Sequence, residues 1–544
     1  MPADALILGP LLRYVDETSA AIWVETRDSA EVCVRADGRR WSSETFCVHG
    51  HHYALVDVDG LDPGSIVDYA VDIAGVEVWP PEGSRFGPSR IATLEPGRKL
   101  RLAFGSCRTS VPHDEAGNRS HGVDALRAYA IHMADNPDKW PDLIAFLGDQ
   151  VYADLTSDAM QEFIESRRDI NEPPGEELKD YEEYCHLYKL AWSDPANRWL
   201  LSTLPSSMIF DDHDIRDDWN TSSRWRKDME ATSWWHQRIV AGLGSYWVYQ
   251  HLGNLSPAER AADEIWQQIV AAQVTGEPRD LGAVIDEMAA RVDAQPDSYR
   301  WSHARRIGNC RLVVVDSRAA RILQDDTRSI LDDKEMSWLH EQLRGDVDHV
   351  FIGTSLPYLL SPGLHQLEAW NEAVSAGAWG NRLKGFGEKA RRTIDLEHWA
   401  AFQDGFREVA DMVCELADGK RGAAPATVHL SVRRRAQLLC VRGETHRIRR
   451  CIGIEPDPAG RVLADPQSAS QSGPARYRFC IQEHGQGFRR PVGEVSEGAR
   501  PTVQLAHDRR AVVRQQPGHA RDRRSHVVHA MGKRCCRGRQ PRDP

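Results

Sequence analysis

Two acidic loops hold the residues best suited to chemistry in this 544-residue chain: Gly148-Asp149-Gln150-Val151-Tyr152 and Asp211-Asp212-His213-Asp214. A carboxylate such as Asp149 has two oxygens and can bridge two cations, and carboxylates beside an imidazole give a mixed donor set. The first loop follows Leu143 to Leu147, an apolar run that reads as a buried parallel strand, so Asp149 leaves a sheet at its carboxyl edge. The second follows Met208-Ile209-Phe210, a shorter run of the same kind. A third run, Leu100 to Phe104, ends in Gly105-Ser106-Cys107-Arg108 and brings a thiol and a guanidinium to that edge, where α/β proteins build their sites.

In this order, and followed by Trp219-Asn220, the strings Phe104-Gly105-Ser106-Cys107, Gly148-Asp149-x-x-Tyr152 and Asp211-Asp212-His213-Asp214 resemble the motifs of the PhoD-like alkaline phosphatases. These belong to the wider calcineurin-like and purple-acid-phosphatase group, and the resemblance spans residues 1–431. It implies an α/β fold: a calcineurin-like metallophosphatase sandwich of two mixed sheets between helices, preceded by a small fibronectin-like β-sandwich. The function implied is metal-dependent hydrolysis of phosphomonoesters or phosphodiesters, with a phosphate ester as the partner.

Within that resemblance Asp149 is the natural bridging ligand, Cys107 and Tyr152 join it at one ion, and Asp212 stands at the second. A thiolate and a phenolate together favour a strongly Lewis-acidic ion such as ferric iron. The family implies two or more metal ions, iron with calcium or another divalent pair. His213 then lies next to the phosphate as transition-state stabiliser or general acid. Arg108 could neutralise a phosphate oxygen bidentately. Plainer readings stand beside these: Cys107 as a small buried filler, Tyr152 as a strand-end aromatic, and Asp211 as a cap for the turn that follows. His365 and Asp316 read first as structural residues.

The rest of the chain must position these loops. Residues 1–97 alternate apolar and polar over short runs such as Ala20 to Glu25, Glu31 to Arg35 and His52 to Val58, separated by turn residues, which predicts the β-sandwich. A metallophosphatase domain over 98–431 follows. Asp124 to Ala134 reads as an amphipathic helix, and Asp158 to Trp199 as mostly helical, with Tyr184, Tyr188, Trp192 and Trp199 in the core. A second helical stretch runs from Ser233 to Asp293. Strands are expected at Cys310 to Arg318 and His349 to Ser355, a long Gly-rich loop and candidate lid at Pro357 to Gly387, and a helix at Glu397 to Leu416.

Composition breaks after residue 431. Residues 432–544 hold 23 Arg, one Lys and ten acidic residues, a net of +14 against −12 for the whole chain, and all 17 Trp precede residue 400. In the family, a Gly-Asp-x-His motif would follow the strand at Ala426 to Ser431; here the chain reads Val432-Arg433-Arg434-Arg435. Arg433 to Cys440 can be written in codons that, shifted by one base, encode Gly-Asp-Val-His-Ser-Ser-Tyr. Residues 432–544 therefore read as an irregular, out-of-frame or disordered tail. A nucleic-acid-binding tail is the lesser reading, because its basic residues follow no periodic face and its aromatics are too sparse to stack bases. The alternative for the whole chain is an inactive phosphatase fold or binding protein short of metal ligands. Eleven scattered cysteines argue against a disulfide framework. No apolar run reaches membrane-span length and no signal core follows Met1, so a cytoplasmic protein is expected.

Overall fold

A computed structural model describes residues 5–275, 280–324, 327–432, 435–441 and 504–505. Nine strands open the chain: β1 (Leu6–Val15), β2 (Ala20–Thr26), β3 (Glu31–Ala36), β4 (Arg39–Glu44), β5 (Phe46–Val48), β6 (His51–Val58), β7 (Ile66–Ile73), β8 (Val76–Trp79) and β9 (Arg90–Ala92). They form two antiparallel sheets, β1-β2-β6-β5 and β4-β3-β7-β8, with β9 added to β7. The alternation of strand side chains shows how the first sheet is used. Ile22, Val24, Ala54 and Val56 face the sandwich interior, whereas Ala21, Trp23, Tyr53 and Leu55 belong to the core of the α/β part. Both faces of this sheet are therefore buried.

The α/β part has two further sheets. β10 (Arg101–Gly105), β11 (Leu143–Leu147) and β12 (Ser206–Ile209) run parallel. The second sheet has the order β13 (His303–Ile307), β14 (Cys310–Val315), β15 (His349–Thr354), β16 (Thr427–Val432) and β17 (Arg435–Val441), parallel at its centre and antiparallel at both edges. β18 (Gln504–Leu505) pairs with β10. Period-two alternation again assigns the faces: Leu312, Val314 and Phe351 point toward the first sheet, while Val313, Val315, Val350 and Ile352 meet the helix Gln403–Ala417 through Phe406, Val409 and Val413. The sheets approach closely because β15 carries Gly353, where a Cβ would lie 2.8 Å from a Leu147 methyl. This is a mixed α/β chain preceded by a β-sandwich, as its strand patterns predict.

Two expectations are corrected. Pro357 to Gly387 is not a long loop: it contains the helix Pro362–Ala376 and the first part of the helix Lys384–Ile394. Pro362 lies in a first turn, where its missing N–H costs nothing, Leu364, Leu367, Asn371 and Val374 recur at helical spacing, and Gly377 ends the helix in the left-handed region at φ 107°. The helix expected from Glu397 starts instead at Gln403, after a 3₁₀ turn at Trp399–Ala401. Of the Arg-rich tail, 433–434, 442–503 and 506–544 lie outside the described residues, and with them most of the out-of-frame reading. Among the described residues no helix is long and apolar enough to cross a membrane.

One buried acid under the second sheet makes a testable pH signature. Glu335 accepts from the backbone N–H groups of Trp301 (3.0 Å) and Ser302 (3.3 Å). Burial, then the nearby Asp316, pushes its carboxyl from 4.5 up to about 8. A raised carboxyl pKa means that the folded state holds its proton more tightly than the unfolded chain, so its stabilising contribution is complete below the unfolded value and is lost as pH rises through about 8. Glu335→Gln keeps the acceptor oxygen and cannot ionise. The variant should therefore melt higher than the parent above pH 8 and no higher at pH 4, as read by thermal melts across that range.

Candidate metal centre

Parallel pairing brings three loops to one edge. Gly105 is in register with Phe146 and Leu147 with Ile209, so the loops after β10, β11 and β12 emerge side by side. Backbone bonds lock them together: Arg108 N–H to Asp149 O (2.9 Å), Gly148 N–H to Ile209 O (3.1 Å) and Ala153 N–H to His213 O (2.8 Å). Gly148, at φ 143°, makes the closest approach; a Cβ there would lie 2.8 Å from Cys107 Sγ.

Ligand atoms of Cys107, Asp149 and Asp211 lie within 4.8 Å of one another. Asp149 and Asp211 are fully buried, and Asp149 Oδ1 accepts from the His213 N–H at 2.9 Å. Capping its turn is the plainer reading of Asp211, beside a metal role. Asp211 takes part in a capping box, its N–H donating to Asp214 Oδ2 at 3.2 Å, and its carboxylate also faces the thiol at 4.0 Å. Asp214 is pushed well above the usual carboxylate range by burial and then by Asp149, a sign of how densely negative this edge is. A half-buried thiol and two buried carboxylates with their ligand atoms this close fit a cation well, because a positive charge relieves their mutual repulsion.

Asp212 belongs to a second group, with His213 and Asp217, and a third unites Asp218, Asp395 and Glu397. The His213 ring is held on two sides. Its Nδ1 faces both oxygens of Asp154 at 2.9 and 3.0 Å, its face stacks on Tyr152 with centroids 4.5 Å apart, and Nε2 lies 3.7 Å from Asp217. Burial works to raise the Asp154 carboxyl, but the His213 contact outweighs it and holds the group below its ordinary value. Tyr152 is thus placed beside the imidazole.

Arg108, expected to face phosphate, has other partners within the chain. Its Nε and Nη2 bind Asp124 at 3.1 and 2.8 Å, and its Nη1 donates to the Ala191 carbonyl at 2.7 Å and to Ser110 Oγ at 3.3 Å. Asp124 caps the helix Ala125–Asp135 with a side chain only 7% exposed and pairs with this guanidinium; a phosphate bound there would compete with that pair. Asp316 is structural, accepting from the N–H groups of Arg318, Ala319 and Ala320. His365 packs on Phe406.

Three residues escaped the sequence reading. Asp154 lies in the Asp149 loop, and its position two residues beyond Tyr152 was the available signal. Arg318 stands just past the end of β14, and Glu397 was read as part of a helix. Arg318 is fully buried, bonds Asp211 and Glu397, and pairs with Asp212 at 3.0 Å. Burial opposes charge on Glu397, but Arg318 prevails and lowers its carboxyl to about 2.

A β-sandwich in front of an α/β domain, with thiol, carboxylate and imidazole donors gathered at parallel strand ends, defines a class of α/β proteins with a candidate metal site at a sheet edge. The family model described as PhoD-like phosphatase matches residues 110–382, and one described as a domain of unknown function (DUF7800) matches 3–91. The chain belongs to the PhoD-like phosphatase family. Among solved structures it is similar to one described as the structure of PhoD, at 13% identity over 76% of this chain and 70% of that one, with a TM-score of 0.48. A carbohydrate acetylesterase from Xanthomonas citri aligns at 10% identity over 55% of this chain and 78% of its own, with a TM-score of 0.18. No curated protein matches the chain.

Proposed function

We propose that this chain hydrolyses phosphate monoesters or diesters with metal ions held at the strand-end loops. The observation that carries the reading is the convergence of Cys107, Asp149 and Asp211, with His213 bonded through its backbone to Asp149. These three residues would hold one ion, with Tyr152 as a phenolate candidate on the same loop, and Asp212 would serve a second. The thiolate suits iron at the first position, with calcium or another divalent ion at the second. When bound, such ions supply Lewis acidity toward the phosphoryl oxygens. The protein's own residues manage the proton: Asp154 fixes Nδ1 of His213, so that Nε2 can protonate the departing oxygen. The division into a sandwich (1–97), a metallophosphatase domain (98–431) and a tail (432–544) is part of this proposal.

A specific observation favours a second reading, an inactive chain. β16 runs parallel to β15, so its carboxyl end lies on the same edge as that of β15, yet Val432-Arg433-Arg434 stands where Gly-Asp-x-His would. Metal content measured together with hydrolysis of p-nitrophenyl phosphate and its bis ester separates the two. For the enzyme, His213→Ala should lower turnover about 10²-fold with metal content retained. Absence of both metal and turnover, each restored by re-framing the gene after codon 431, supports the inactive chain.

A further inference from the structure

Three acid groups surround the candidate centre, and one side chain touches a member of each. Arg318 Nε bonds Asp211 Oδ1 at 2.6 Å, and Asp211 belongs with Cys107 and Asp149. Its Nη2 lies 3.0 Å from Asp212 Oδ1, and Asp212 belongs with His213 and Asp217. Nη1 and Nη2 clasp Glu397 at 2.5 and 2.7 Å, and Glu397 belongs with Asp218 and Asp395. Nη1 also donates to the Trp219 carbonyl at 3.3 Å. The side chains of Arg318 and Asp211 are wholly buried, and those of Asp212 and Glu397 are 6% exposed. Arg321 supports the same carboxylate, lying 3.5 Å from Glu397 and donating to the carbonyls of Trp219 and Asn220.

A guanidinium is planar and presents its donors at fixed angles, so a fork that meets three carboxylates at once fixes the orientation of each relative to the others. We infer that Arg318 is a positioning residue of the centre: anchored by Glu397, its fork sets the directions in which Asp211 and Asp212 present their oxygens to cations, with the Asp218 N–H holding the other oxygen of Asp212 at 3.1 Å. The inference rests on the metal reading proposed above. Lysine would keep the charge but present a point instead of a fork, so Arg318→Lys separates orientation from simple charge balance. Glu397→Gln leaves Arg318 in place and loosens its anchor.

The test is titration of the metal-free full chain with Mn²⁺ alone, followed by calorimetry, together with the thiolate absorption of the Co²⁺-loaded protein. Arg318→Lys and Glu397→Gln should each weaken Mn²⁺ binding by roughly 10- to 100-fold and shift or diminish the Co²⁺–thiolate band. The double variant should bind no more weakly than Arg318→Lys alone, because Glu397 acts through the guanidinium. If Arg318→Lys fails to fold, Glu397→Gln carries the test by itself, with its melting curve as the control for folding. Folded variants that bind Mn²⁺ within about twofold of the parent overturn the positioning role while leaving the metal centre standing. A parent chain that takes up no Mn²⁺ overturns the metal reading and this inference together.

Discussion

Asp149→Asn is expected to abolish ester hydrolysis in practical terms, with a loss of about 10³-fold or more, while the protein stays folded. The magnitude follows from the role: a metal ion that stabilises transition-state charge is worth several kcal/mol, and roughly 4 kcal/mol corresponds to about three powers of ten. The fold survives because the amide oxygen of Asn can still accept from the His213 N–H, the bond that joins the two loops at 2.9 Å. Apo stability should not fall. Asp149 is buried with no exposure, and after burial it is the main influence driving Asp214 upward, so deleting its charge relieves repulsion in the metal-free chain. The expected signature is a metal-free melting temperature equal to or above that of the parent, metal content well below one ion per chain, and lost turnover of p-nitrophenyl esters. Full turnover in a folded Asp149→Asn variant is incompatible with the proposed centre.

What was legible in the sequence was local. The run Leu143 to Leu147 is bounded by Asp142 and Gly148, and the strand matches it residue for residue. Loop motifs were legible for the same reason: Cys107, Asp149 and the 211–214 turn each follow an apolar run directly, and parallel pairing does the rest. Residues that meet across sequence distance were not. Arg318 lies 107 positions from Asp211 and 79 from Glu397, and no local pattern reports such a meeting. The pairing of Arg108 was out of reach for the same reason. Asp124 was visible as part of a helix, but the buried pair it forms with Arg108 is a tertiary fact. The stretch from Pro357 to Gly387 misled through its glycines: Gly377 and Gly380 make the turn between helices, while Gly363, Gly385 and Gly387 lie inside them.

Trp23→Ala should be the most damaging single truncation in the sandwich, and it tests whether that domain is an appendage or part of the main core. Trp23 has no exposure, and its ring lies 5.8 Å from Tyr53 in the same sheet and 5.3 Å from Tyr249 in the helical stretch of the α/β part. Among the described residues its indole N–H has no hydrogen-bond partner, so the loss is one of packing, about 3–5 kcal/mol for a buried tryptophan. Against a typical total of roughly 5–15 kcal/mol, that is a large share. Polar contacts cross the same boundary: Tyr249 OH donates to Glu25 at 3.0 Å, His51 meets Glu182 at 2.7 Å, and Arg13 donates to the carbonyls of Tyr249 (2.8 Å) and Gln250 (2.6 Å). Gln250 in turn donates to Asp214 at 3.1 Å, one step from the loop that carries Asp211 and Asp212. Urea unfolding of the parent, followed by tryptophan fluorescence and circular dichroism, should therefore show one transition, and Trp23→Ala should move its midpoint down without splitting it. Two separate transitions, or a cost below about 1 kcal/mol, would mean that the sandwich folds by itself and leaves the acidic loops to be positioned by the α/β sheets alone.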